Sequence, residues 1–189
     1  IWDFVDQSLR KTGKNGAMIY GYGGDWNPYD ASDWNFCDNG LISPDRVPNP
    51  HMHEARYWQQ PVWTTLGEDR RTLTVFNENF FRPLDNCYLR WTVLRDGDPV
   101  RSGIVADLRV APQQTAAVVL PLAPETLPAD GELLLNVEYR LCDVEPLLAP
   151  DHRVAYQQFT LRAAAPEPLA VAERMADRHN SIGTLTVRD

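Results

Sequence analysis

The sequence predicts a mainly β fold, an immunoglobulin- or fibronectin-like β-sandwich preceded by a loop-rich segment. Three observations predict it. Between residues 72 and 161 the chain holds six short runs rich in β-branched and aromatic residues, separated by turn signals, the spacing of a six- or seven-strand sandwich. Helix signals are sparse before residue 168. Residues 1–53, in contrast, are dense in Gly, Asn, Asp, Pro and aromatics with little sustained period, the composition of ordered loops around short strands.

Taken in order, Ile1 to Val5 is apolar enough for a buried strand, and TGKNG at 12–16 is a turn signal before the short apolar stretch 17–20, a small hairpin-like excursion. Residues 36–50 read as loop, because the three prolines of SPDRVPNP fix φ and lack an N–H, which excludes a helix interior. The strand-like runs are 72–81, 87–95, 99–105, 115–121, 132–141 and 154–161. Asp96-Gly97 lies between two of them and marks a tight hairpin. Trp91 alternates with Leu89 and Val93, which places it on the core face. The one helix candidate is 168–178, with Pro168 early and Arg174 and Arg178 near its end. The tail 179–189 has the pattern of a strand leading into a neighbouring unit. No internal repeat or low-complexity tract is present.

Composition narrows the function classes. A chain of 189 residues accommodates one ordinary domain of roughly 100–150 residues plus extra segments. A net charge of −8 argues against a phosphate-binding surface, so no nucleic-acid partner is expected. The three cysteines, Cys37, Cys87 and Cys142, are odd in number and share no metal-type spacing, which favours a reducing compartment over a disulfide framework. The longest apolar runs fall far short of the ~20 residues a spanning helix needs, so no membrane partner and a cytoplasmic location are expected. The chain opens on Ile1 and Trp2 with no initiator Met and no leader pattern, and is expected to begin inside a longer protein.

The acids do not announce a catalytic pair. Asp3 and Asp6 share a face poorly, and Asp25, Asp30, Asp33 and Asp38 lie in Gly/Asn-rich sequence, where carboxylates cap turns or face water. His51 and His53 would share one side of a strand, but with only Glu54 nearby they lack the three or four ligands a zinc site needs. No Ser/His/Asp set, CxxC, P-loop or GxGxxG occurs. Gly21, Gly23 and Gly24 precede no helix that would make them a phosphate cradle.

Four motifs remain: IWDFVDQSL, YGYGGDW, NFCDNGLISPDRVPNP and HEARYWQQP. Together, and in this order, they resemble the end of the catalytic barrel and the exit linker of glycoside hydrolase family 2 β-galactosidases of the large bacterial type. The resemblance is strongest over residues 1–61 and rests on strand spacing over 62–163. It implies that a remnant of a (β/α)8 barrel precedes the sandwich: residues 1–53 would be the barrel end and exit linker, 54–163 the sandwich, and 164–189 a linker toward a further large sandwich.

The resemblance also implies a retaining hydrolysis of terminal β-D-galactosyl residues by two Glu side chains about 5–5.5 Å apart. Both would precede Ile1, so this chain would hold no catalytic residue and would be inactive alone, its sandwich serving as a spacer. Trp2, in the W-D-x-V-D-Q pattern, would form an apolar platform under the galactosyl ring. The Phe36 backbone oxygen and the Asn39 side chain would be sodium ligands, with the Phe36 ring beside the substrate, so that Trp2, Phe36 and Asn39 form the substrate contacts and Phe36 and Asn39 the metal contacts. A further carboxylate ligand, and the ligands of a Mg²⁺ ion, would lie outside this chain, and no cofactor is expected to bind it tightly. Phe4 stands where a Trp is frequent, and the 26–35 loop departs from the family pattern, so no contact is carried over there. Partners would be the galactoside, the rest of the same polypeptide and a homo-oligomer. The alternative reading is a non-catalytic carbohydrate-binding or subunit-assembly sandwich; carbohydrate binding requires exposed coplanar aromatics, for which Trp63 and Trp91 are the Trp candidates.

Overall fold

A computed structural model describes residues 3–27, 29 and 38–165. In chain order the elements are β1 (Leu9–Thr12), β2 (Met18–Gly21), α1 (Pro50–Trp58), β3 (Val62–Leu66), β4 (Thr72–Asn77), β5 (Cys87–Arg95), β6 (Asp98–Val105), β7 (Thr115–Val119), β8 (Leu133–Leu141) and β9 (Arg153–Arg162). The last seven strands form two antiparallel sheets, β3-β4-β7 and β6-β5-β8-β9. Three strands against four, with the chain crossing between sheets after β4, β6 and β7, is the sandwich the sequence predicts.

Alternation builds it. Along β5 the buried side chains are Cys87, Leu89, Trp91 and Val93, and along β8 they are Leu133, Leu135, Val137, Tyr139 and Leu141. The register sets Leu89 opposite Tyr139, Trp91 opposite Val137 and Val93 opposite Leu135, so both strands face one way. Val62, Leu73 and Val75 of the other sheet pack against them in one continuous core. Each fully buried Leu or Val stabilises by roughly 1.5–3 kcal/mol relative to exposure, which is what holds two short-stranded sheets together. At the β5–β6 turn Asp96 and Gly97 both have positive φ, 50° and 94°, the two-residue turn whose twist matches the strands.

The six predicted runs appear as β4 to β9, with ends shifted by a few residues. The 72–81 run stops at Asn77, which keeps the inward alternation but commits its buried side chain to loop backbone: its amide donates to the Arg82 and Val110 carbonyls at 2.9 and 3.0 Å, and its oxygen accepts the Asn79 N–H. The expected hairpin excursion is β1–β2, with Thr12 paired to Met18 across a turn in which Gly16 has φ +79°.

Three readings require correction. β3 lies ahead of residue 72, where the strand-like runs were expected to begin; its inward positions are Val62 and Thr64, and one buried hydroxyl in five residues weakens the alternation signal. The described part of the 1–5 segment is no buried strand: Phe4 is 49% exposed, and Val5 makes a single parallel bridge to Ile42. Residues 50–58 are helical where no helix was expected before 168. Pro50 occupies the first helical position, where its missing N–H has no partner to lose. His51 and His53 are therefore about 200° apart around a helix axis and do not share a face. α1 also runs across the expected boundary at 53/54. The helix candidate 168–178 and the tail 179–189 lie outside the described residues. No helix among the described residues is long and apolar enough to cross a membrane.

Candidate functional site

Residues 3–6 and 40–42 run side by side. The Leu41 N–H donates to the Asp3 carbonyl at 3.2 Å, the Ile42 N–H to the Phe4 carbonyl at 2.9 Å, and the Asp6 N–H to the Ile42 carbonyl at 2.9 Å. This pairing brings the Asp6 side chain under the loop. Asp6 is 4% exposed, and its Oδ1 accepts the Gly40 N–H at 2.7 Å. On its other side Gly40 presents its carbonyl to two donors, Asn49 Nδ2 at 2.8 Å and His51 Nε2 at 2.9 Å. The Ser8 hydroxyl bonds Asp38, whose φ is +55°. The approach is too close for a side chain at position 40: a Cβ there would lie 2.8 Å from Asp6 Oδ1 and 3.0 Å from the Asp3 carbonyl oxygen. Glycine is required here by space, not by φ.

The clamped loop carries Asn39. Its side chain is exposed and has no hydrogen bond among the described residues, leaving its amide oxygen available as a ligand. An uncommitted amide oxygen, with loop carbonyls nearby in sequence, is the donor type a hard cation such as Na⁺ takes, so the residue fits the implied role. Trp2 and Phe36, the other two predicted site residues, lie outside the described residues. Among the described residues no group of three or more His, Cys, Asp or Glu could hold a metal ion.

Sequence reasoning missed Asp6 and Asn49. Asp25 behaves as a turn acid should, accepting the Tyr22 N–H at 3.1 Å, and Asp38 is exposed. Asp6 differs from these acids: its burial depends on a contact 34 residues away, and its second oxygen, Oδ2, has no partner among the described residues. His51, weighed as a metal ligand, instead bonds the Gly40 carbonyl. Beside this segment an open cleft of about 530 Å³ is lined in part by Ser8, Arg10, Tyr20, Asp45 and Arg46.

The linker and sandwich are joined by polar contacts. Gln60, 4% exposed, accepts the Tyr156 N–H at 2.9 Å; Tyr57 donates its hydroxyl to Gln157 Oε1 at 2.9 Å, and Arg56 Nη2 donates to the Arg153 carbonyl at 2.6 Å. Around this seam Trp58 and Trp63 sit 5.9 Å apart with ring planes tilted by 39°, and Tyr57 meets both edge-on. Two tilted rings do not make the coplanar platform a carbohydrate-binding module uses, and Trp91 is buried in the core.

On the outward face of the four-stranded sheet Glu138 bonds Arg140 Nε at 3.0 Å and Arg153 Nη1 at 2.9 Å. Burial raises its carboxyl, but the two guanidinium groups outweigh it and hold the group below the ordinary carboxylate value. Burial pushes the Cys87 thiol up to about 11 and raises the Tyr139 phenol above its usual range. None of these groups adjoins the Asn39 loop, and their arrangement is that of a fold-stabilising network.

Comparison with known proteins agrees with this layout. The family model described as "Glycosyl hydrolases family 2, TIM barrel domain" matches residues 1–64, and that described as "Beta-galactosidase, domain 4" matches residues 73–162. "Beta-galactosidase 2" of Enterobacter cloacae is 39% identical over 173 residues, 91% of this chain and 16% of that protein. "Beta-galactosidase" of Photobacterium profundum is 37% identical over 165 residues, 85% of this chain and 16% of the relative. A "Beta-galactosidase" of Alteromonas mediterranea is 42% identical over 146 residues, 76% of this chain and 14% of the relative. The chain thus spans about one sixth of the length of these relatives.

Proposed function

Since the chain belongs to the glycoside hydrolase family 2 β-galactosidases, spanning the end of their barrel and the sandwich that follows, we propose that it serves as one part of an enzyme that hydrolyses terminal β-D-galactosyl residues by the retaining route. Residues 1–53 close the barrel, 54–163 form a spacer that buttresses it, and 164–189 lead onward. The observation that carries the reading is the order of the two family matches along one chain, barrel then sandwich.

The chain alone does not turn over substrate. Retaining hydrolysis uses a pair of carboxylates, in this family two Glu. Residues 1–64 contain one glutamate, Glu54, and its Oε1 accepts the Trp58 indole N–H at 2.6 Å on the outer helix α1. In the whole enzyme Trp2 would be the platform under the sugar, and Phe36 and Asn39 would supply oxygen ligands to sodium, which would contribute positive charge to the site. Asn39 would present its amide oxygen there, and the Asp6–Gly40 contact holds the loop that carries it. The linker seam at Gln60, Tyr57 and Arg56 ties the barrel end to β9.

The test is hydrolysis of a chromogenic β-galactoside by the purified chain, with the full-length parent beside it, with and without sodium. A silent chain and a sodium-stimulated parent are expected. Turnover by the chain that survives repurification and disappears on replacing Glu54 or Asp6 overturns the reading.

A further inference from the structure

We propose that Asp6 is the positioning residue for Asn39: its buried carboxyl, by holding the Gly40 amide, fixes the peptide unit through which Asn39 is presented to the sodium and sugar site. The inference rests on the reading of Asn39 given above, but its geometry stands independently. The Gly40 N–H lies in the same rigid peptide plane as the Asn39 carbonyl, so a donor–acceptor distance of 2.7 Å to Asp6 Oδ1 fixes the orientation of that plane. The next plane is fixed as well, since the Gly40 carbonyl accepts from Asn49 Nδ2 and from His51 Nε2. Three side chains from two segments therefore clamp one glycine from both sides, while Asn39 beside it makes no side-chain hydrogen bond among the described residues.

Burying a carboxyl costs free energy unless a bond compensates. Asp6 makes no contribution to the hydrophobic core that would offset that cost, because it packs against the loop and lies outside the core cluster. What the burial provides is a short, directed acceptor for one backbone N–H. A loop held this way presents Asn39 already ordered, so a ligand bound there does not have to order the loop itself. The clearance at Gly40 belongs to the same device: a methyl group would push Asp6 Oδ1 away at 2.8 Å and open the contact.

Two substitutions separate positioning from bulk destabilisation. Asp6→Ala removes the acceptor, whereas Asp6→Asn retains an oxygen in the same place. In the 189-residue chain, amide hydrogen exchange at Gly40 is expected to speed up on the order of tenfold in Asp6→Ala and to stay within about threefold in Asp6→Asn, while β5 and β8 amides hold their protection. In the full-length parent, the sodium concentration for half-maximal hydrolysis is expected to rise on the order of tenfold in Asp6→Ala, with Asp6→Asn close to the unsubstituted enzyme. Unchanged Gly40 exchange in Asp6→Ala overturns the proposal, as does Asp6→Asn behaving like Asp6→Ala. So does an unchanged sodium requirement in Asp6→Ala when Asn39→Ala shifts it. If Asn39→Ala itself leaves the sodium requirement unchanged, the reading of Asn39 is what fails, and the Gly40 exchange result still decides whether Asp6 holds the loop.

Discussion

Replacing Tyr139 by Phe removes a single oxygen from the middle of the sandwich, and the geometry around that oxygen sets how much this costs. Tyr139 is 1% exposed on β8, and its hydroxyl lies 2.6 Å from Thr64 Oγ1 on β3, in the opposite sheet. Thr64 is itself buried at 7%. Tyr139→Phe therefore leaves the Thr64 hydroxyl without a partner and without water, and Thr64→Val does the same to the phenol. Stranding a buried polar group costs about 1–3 kcal/mol. The double substitution strands nothing: it loses one net hydrogen bond, about 0.5–1.5 kcal/mol, and retains nearly the same volume. The expected pattern in urea unfolding of the 189-residue chain is two single variants each less stable by about 2 kcal/mol, and a double variant no worse than either. Additivity of the two singles within about 0.5 kcal/mol would refute the reasoning, since groups that do not touch are the ones whose effects add.

Three further outcomes are expected. The raised Cys87 thiol favours the folded state below its unfolded value of 9.0, and that contribution is lost as pH climbs from 9 through about 11, so Cys87→Ala should flatten the alkaline fall in stability by on the order of 2 kcal/mol, measured as the difference between the two unfolding curves. Glu138 has the opposite sign: its lowered carboxyl stabilises above the ordinary value of 4.5 and loses this as pH falls through its folded value, so the stability gap between the chain and its Glu138→Gln variant should narrow in acid, and a gap that widens there would count against the Arg140 and Arg153 pairing. Gly103→Ala would set a Cβ 2.7 Å from the Trp91 ring and should lower stability by about 1–3 kcal/mol with a change in Trp91 fluorescence; a neutral variant would mean that β6 does not press on the ring as described.

Much of the fold was legible because the signals that build it are local. Alternation along 87–95 and 132–141 needs only the pleat to assign Leu89, Trp91, Val93 and Val137 inward. Asp96-Gly97 announces its turn through the backbone freedom of two residues. β3 was not legible, because its inward Thr64 reads as polar until Tyr139 is placed opposite. α1 was hidden by the prolines around it: Pro50 was read as a breaker, though at the first turn it starts a helix. The site divides in the same way. Asn39 was singled out through a motif, and the structure places it exposed on the held loop. Asp6 was set aside because it shares a face poorly with Asp3, and nothing adjacent in the chain marks it as buried.

By itself, then, the sequence determined the sandwich and the family, because strand period, turn chemistry and motif order are properties of neighbouring residues. Tertiary structure alone decided which polar groups are buried and what they hold. Asp6 meets Gly40 across 34 positions and Thr64 meets Tyr139 across 75. Removal from water, which makes a hydroxyl or a carboxyl costly unless partnered, arises only when distant segments close over it.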